Sequence, residues 1–110
     1  MSTVFTLVCS SGDAETTLEI TDSLNFPGFN DEWRCIEGAE VFGNPGGGKI
    51  LDWGRARGER TTLSTGNATP HILHGFTNDI KKGKEGTGSK STLDGTFPSG
   101  DFTWVCMKVK

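Results

Sequence analysis

The sequence predicts an all-β fold, an antiparallel β-sandwich or barrel of about eight short strands joined by glycine-rich loops. Three observations lead there. Phe5-Thr6-Leu7-Val8-Cys9 near the start returns as Phe102-Thr103-Trp104-Val105-Cys106 near the finish. Both runs alternate in polarity, are rich in β-branched and aromatic residues, and are flanked by Ser, Gly or Asp, which marks strands. Turn-forming clusters recur at a spacing of roughly 8–14 residues, and no segment sustains apolar residues at helical spacing over ten or more positions.

Taken in order, the first strand covers about 3–9 and ends at Ser10-Ser11-Gly12-Asp13, and a second covers 15–20. Residues 21–32 read as a polar loop holding Phe26 and Phe29 around Pro27-Gly28. Short strands follow at 33–36 and 39–42. Gly43-Asn44-Pro45-Gly46-Gly47-Gly48 reads as a loop, since glycine and proline in such density disfavour regular structure. Strands are then expected at 49–53, 60–64 and 71–76. The polar stretch 77–91, with three glycines and four lysines, reads as a loop with one helical turn at 78–82. A short strand at 92–93 leads to the Phe97-Pro98-Ser99-Gly100 turn and the last strand at 101–110.

A chain of 110 residues is expected to form a single domain, 1–110. Its apolar fraction of 33% is modest, and its 16 glycines and 4 prolines read as turns between short strands. Residues 1–48 carry eight acids against Arg34 alone, a net of −7, while 49–110 carry ten bases and six acids, a net of +4. The two halves are expected to pair across one fold, or to present an acidic and a basic face. With an overall charge of −3, nucleic acid is not an expected partner, and Arg55, Arg57, Arg60 and the lysines of 81–90 read as solvated loops.

The N-terminus lacks the basic and long apolar regions of a signal peptide, and no run approaches the length of a transmembrane helix. A cytoplasmic protein with free thiols is therefore expected, with a secreted mature chain as the alternative. Three cysteines permit one internal bridge at most. The best hydrophobic match of the terminal runs as antiparallel neighbours sets Phe5 opposite Cys106, Leu7 opposite Trp104 and Cys9 opposite Phe102. Cys9 and Cys106 then stand about 13 Å apart along the strands, too far to bridge. Only parallel neighbours would bring them together.

Catalytic and metal motifs are weak throughout. Gly43-Asn44-Pro45-Gly46-Gly47-Gly48-Lys49 fits the frame of a phosphate-binding loop, but Ile50 stands where a Ser or Thr should hold magnesium, and no helix follows. Gly83–Ser91 is a poorer match, with its lysine one position late. His71 and His74, three apart on a strand, point to opposite faces and do not share a metal. No Gly-x-Ser-x-Gly elbow is present. Asn67-Ala68-Thr69 matches a glycosylation sequon but precedes Pro70, and reads as a turn. No catalytic residue, metal or cofactor is assigned.

The tryptophans lead further. Trp104 alternates with Phe102 and Cys106 and belongs to the core. Trp33 follows Asn30-Asp31-Glu32, and Trp53 stands between Asp52 and Gly54-Arg55, so each sits where a strand meets a loop beside carboxylate and guanidinium groups. A sugar ring needs an apolar face and fixed donors and acceptors around it. The first expectation is therefore a non-enzymatic, lectin-like carbohydrate-binding protein, its glycan held by Trp53, Trp33, Asp52, Arg55 and Asn30. The second is a lipid-headgroup or membrane-binding β protein, such as a small cytolysin component, anchored through Phe26-Pro27-Gly28-Phe29. The third is a structural or assembly protein, a homo-oligomer whose halves of opposite sign pair between subunits.

Overall fold

The computed structural model describes residues 2–24, 30–38, 41–42, 46–55, 58–65, 70–90 and 100–110. Among them are eight strands: β1 (Thr3–Ser11), β2 (Ala14–Asp22), β3 (Glu32–Glu37), β4 (Gly47–Asp52), β5 (Arg60–Leu63), β6 (His71–His74), β7 (Glu85–Lys90) and β8 (Gly100–Val109). Each pairs antiparallel with its neighbour in sequence, and β8 returns to β1, so the sheet closes into a barrel. Closure removes the unpaired edges an open sheet would expose. The described residues contain no helix long and apolar enough to cross a membrane.

The terminal strands are neighbours and antiparallel, as the hydrophobic match requires, but the register is shifted by two residues. Leu7 faces Cys106, Cys9 faces Trp104, and Phe5 faces Val109 across an irregularity between Thr6 and Leu7. One extra residue on β8 at that irregularity lets the strand bend with the barrel wall. Cys9, Cys35 and Cys106 are all free thiols.

Alternation then does the packing. Phe5, Leu7 and Cys9 of β1, Leu18 and Ile20 of β2, Leu73 of β6, and Phe102, Trp104 and Cys106 of β8 all point inward and are buried. Two groups of rings fill the interior. Trp53, Phe5, Phe76 and Trp104 form one, with ring centroids 5.2–6.2 Å apart. Trp33, Phe42, His71 and Phe102 form the other, at 4.6–6.0 Å. Several contacts in both groups are edge-to-face, the arrangement aromatic quadrupoles favour. An eight-stranded barrel is just wide enough to be filled in this way.

Four local expectations are corrected. The stretch 77–91 is not all loop, because β7 occupies its second half. Its inward positions are Gly86 and Gly88, where a Cβ would lie 2.4 Å from the Trp104 ring and 2.2 Å from that of Phe102. The glycines therefore leave volume for the two large side chains of β8, and Trp104 Nε1 donates to the carbonyls of Thr87 (3.0 Å) and His74 (3.2 Å). Gly47 and Gly48 likewise belong to β4, since a Cβ on Gly48 would collide with the Ser64 carbonyl at 2.3 Å. In place of a helical turn at 78–82 the chain makes two hydrogen-bonded β-turns, with Ile80 N donating to Thr77 O and Lys84 N to Lys81 O. Val41 and Phe42 lie in a turn, not a strand. The expected strand at 92–93 and the Phe26–Phe29 anchor lie outside the described residues.

Candidate functional site: a polar cleft at one end of the barrel

The antiparallel meander gathers the β2–β3, β4–β5 and β6–β7 connections at one end of the barrel. Their inner layer is built around Trp53, the first residue after β4. Its ring packs on Phe5 and Phe76, and its Nε1 donates to Asp31 Oδ2 at 2.7 Å. The other oxygen, Asp31 Oδ1, accepts from the Ser23 backbone N–H, also at 2.7 Å. One buried carboxylate thus joins the β2–β3 connection to the residue that opens the β4–β5 connection.

The third connection is tied in by Thr61. Its hydroxyl accepts from Gly54 N (3.0 Å) and donates to Phe76 O (2.8 Å), and Gly54 forms a parallel bridge to Thr77. A Cβ on Gly54 would stand 2.5 Å from the Phe76 carbonyl, so this close approach of two backbones requires glycine. Asn78 N donates to Gly54 O, and Gly75 N to Glu59 O. The described backbone around Gly54, Thr61 and Phe76 is therefore held by buried hydrogen bonds beneath exposed side chains.

On that base lies an open cleft of about 520 Å³, lined by Asp52, Trp53, Arg55, Gly58, Glu59, Arg60 and His74. Arg60 and His74 are direct cross-strand partners on β5 and β6. The Glu59 carboxylate accepts from the Arg55 backbone N–H, which closes the short connection on itself. His74 Nε2 lies 3.2 Å from Ser89 Oγ, and that hydroxyl lies 3.4 Å from Asp101 Oδ1. This is a His–Ser–Asp chain in the wrong order for nucleophilic catalysis. The carboxylate contacts the serine, whereas a catalytic triad needs it on the far nitrogen of the imidazole.

Three of the five residues expected to hold a glycan meet here: Asp52, Trp53 and Arg55. Trp53 contributes only an edge, being 7% exposed, and its faces are covered by Phe5 and Phe76. Trp33 is 2% exposed, packs on Phe42 and His71, and donates from Nε1 to Ser64 O at 2.7 Å. Neither indole offers a face for a sugar to stack on. The physical reason is that barrel closure turns both rings inward, Trp33 from within β3 and Trp53 from just beyond β4. Asn30 is exposed beside Asp31 and is not among the described residues lining the cleft.

Glu59, Arg60 and His74 complete the cleft and were not singled out as ligand contacts in the sequence. Their meeting depends on the β5–β6 register, for which only the alternation of His71 and His74 gave a hint. His71 is buried, and burial together with the Lys90 charge lowers its pKa from 6.5 to about 4. His74 is on the exposed face, as the alternation predicts. Among the described residues no group of three His, Cys, Asp or Glu side chains stands ready to hold a metal ion. No family model, curated protein sequence or solved structure matches this chain.

Proposed function

We propose that the protein is a non-enzymatic carbohydrate-binding barrel whose ligand occupies the cleft of Asp52, Arg55, Glu59, Arg60 and His74. The observation that carries this reading is the side-by-side placement of carboxylates and guanidinium groups among the described residues of that cleft. Its described lining holds two carboxylates, Asp52 and Glu59, and two guanidinium groups, Arg55 and Arg60. These described side chains set acceptors beside donors, which suits a ligand with many donors and acceptors of its own. Vicinal hydroxyls suit that set, since carboxylates accept and guanidinium groups donate in paired geometry.

The test is a glycan array followed by calorimetry on its strongest ligand, with Asp52→Ala and Arg60→Ala as site variants. Each is expected to weaken binding roughly tenfold, the effect of losing one charged hydrogen-bonding group. Undiminished binding by both variants would overturn the site. An array without any bound glycan would overturn the reading, and sedimentation with vesicles containing anionic lipid would then show whether a headgroup is the ligand instead.

A further inference from the structure

Outward-facing side chains of neighbouring strands line up in rows across a barrel, and one such row begins in the cleft. Arg60 of β5 pairs with His74 of β6, His74 with Thr87 of β7, Thr87 with Thr103 of β8, and Thr103 with Ser10 of β1. The inward partners on β7 and β8, Gly86, Gly88, Phe102 and Trp104, face the core, so Thr87 and Thr103 face outward and both are exposed. Four strand spacings carry this row about 19 Å around the wall.

Two shallow, open depressions lie along the β7–β8–β1 part of the row. One of about 400 Å³ and one of about 350 Å³ share Ser10, Thr87 and Thr103 in their walls. On one side the row is bordered by Val8 and Val105, which pair with each other, and on the other by Asp101 and Ser89. A strip of hydroxyls between an apolar border and a hydrogen-bonding one matches an extended amphipathic chain.

We propose that the ligand is an oligosaccharide chain lying across the strands, with one unit in the cleft and the next units over His74, Thr87, Thr103 and Ser10. This rests on the carbohydrate reading of the cleft and specifies its ligand class as a polymer rather than a monosaccharide. An extended peptide is held chiefly by the free backbone of a sheet edge. A closed barrel has no such edge, so a polymer on this wall is held by side chains alone. Thr87, Thr103 and Ser10 carry no charge, which disfavours a phosphate backbone.

The experiment is calorimetry of the full chain with cello-, xylo-, malto- and chito-oligosaccharides of one to six units. In at least one series, affinity is expected to rise with length until the row is covered. The double variant Thr87→Val, Thr103→Val keeps β-branched side chains on the outer face, and an unchanged Tm confirms its fold. It is expected to lose roughly tenfold in affinity for the hexasaccharide, as for two ordinary hydrogen bonds, and nothing for the disaccharide. Disaccharide binding without any gain from length, or a double variant that binds the hexasaccharide like the parent, overturns the extended row and leaves the cleft standing. Absence of binding at every length in every series overturns both.

Discussion

Asp31 and Trp53 are joined by a 2.7 Å hydrogen bond between a carboxylate oxygen and an indole N–H, both on buried residues. The second carboxylate oxygen accepts from Ser23 N, so a single side chain satisfies two donors from two connections of the same barrel end. Trp53 is thereby a wall of the cleft that cannot swing out to meet a ligand. Held in this way, it fixes the backbone of Asp52 and Arg55 on either side of it.

Replacing Asp31 by Ala leaves the Trp53 and Ser23 N–H groups without their acceptor. Hydrogen bonds to a charged group are worth about 1.5–3 kcal/mol each, so urea unfolding is expected to show a loss of about 3–6 kcal/mol for the two. Asp31→Asn, which keeps one acceptor, should lose less. Equal stability of Asp31→Ala and the parent would show that this carboxylate does not hold the two connections together.

The Gly86→Ala and Gly88→Ala variants test whether these glycines exist to admit the aromatic rings. A methyl group at position 86 meets the Trp104 ring at 2.4 Å and the His74 carbonyl at 2.6 Å. At position 88 it meets the Phe102 ring at 2.2 Å. Overpacking of this kind costs about 1–3 kcal/mol, seen as a lowered Tm together with a shift in tryptophan emission. Gly86→Ala combined with Trp104→Phe should recover part of the loss.

His71 gives the barrel an acid-sensitive stability. Burial, with the Lys90 charge as a second cause, lowers its pKa to about 4 from an ordinary 6.5. Between those values the unfolded chain binds the proton and the folded chain does not, so unfolding stability rises with pH across this window. The stabilisation is complete above about pH 6.5 and is lost as pH falls toward 4, up to about 3 kcal/mol in all. Denaturation curves from pH 4 to 7 should show this slope, and His71→Phe should remove it. A parent curve flat over that range would contradict the placement of the imidazole.

The thiols are expected to be inert in the folded protein. Burial pushes the Cys9 and Cys106 pKa values up, and that of Cys35 up to about 11, so little thiolate is present at neutral pH. A thiol-colour reagent should react slowly with the native chain and rapidly with all three cysteines in denaturant. Rapid native reaction of one thiol would identify a more open wall at that position.

The period-two alternation of 3–9, 15–20 and 101–110 determined the class of fold and the burial of Trp104, because a strand's faces can be read wherever its polarity alternates. The adjacency of the two terminal runs was legible for the same reason. Their register was not, since a shift of two residues preserves every inward face and only a bulge beside Met107 distinguishes the two matches. β7 escaped because Glu85-Gly86-Thr87-Gly88-Ser89-Lys90 carries no apolar residue, its inward face being supplied by rings from β8.

The polar membership of the cleft was half legible. Asp52 and Arg55 flank Trp53 in sequence, so their proximity follows from covalent connection. Arg60 and His74 reach them only through cross-strand pairing and barrel closure. Closure also decided what the tryptophans do. A strand–loop junction in a sequence does not specify which way an indole points, and here the volume inside an eight-stranded barrel drew Trp33 and Trp53 in, leaving charged and hydroxyl groups on the outer surface.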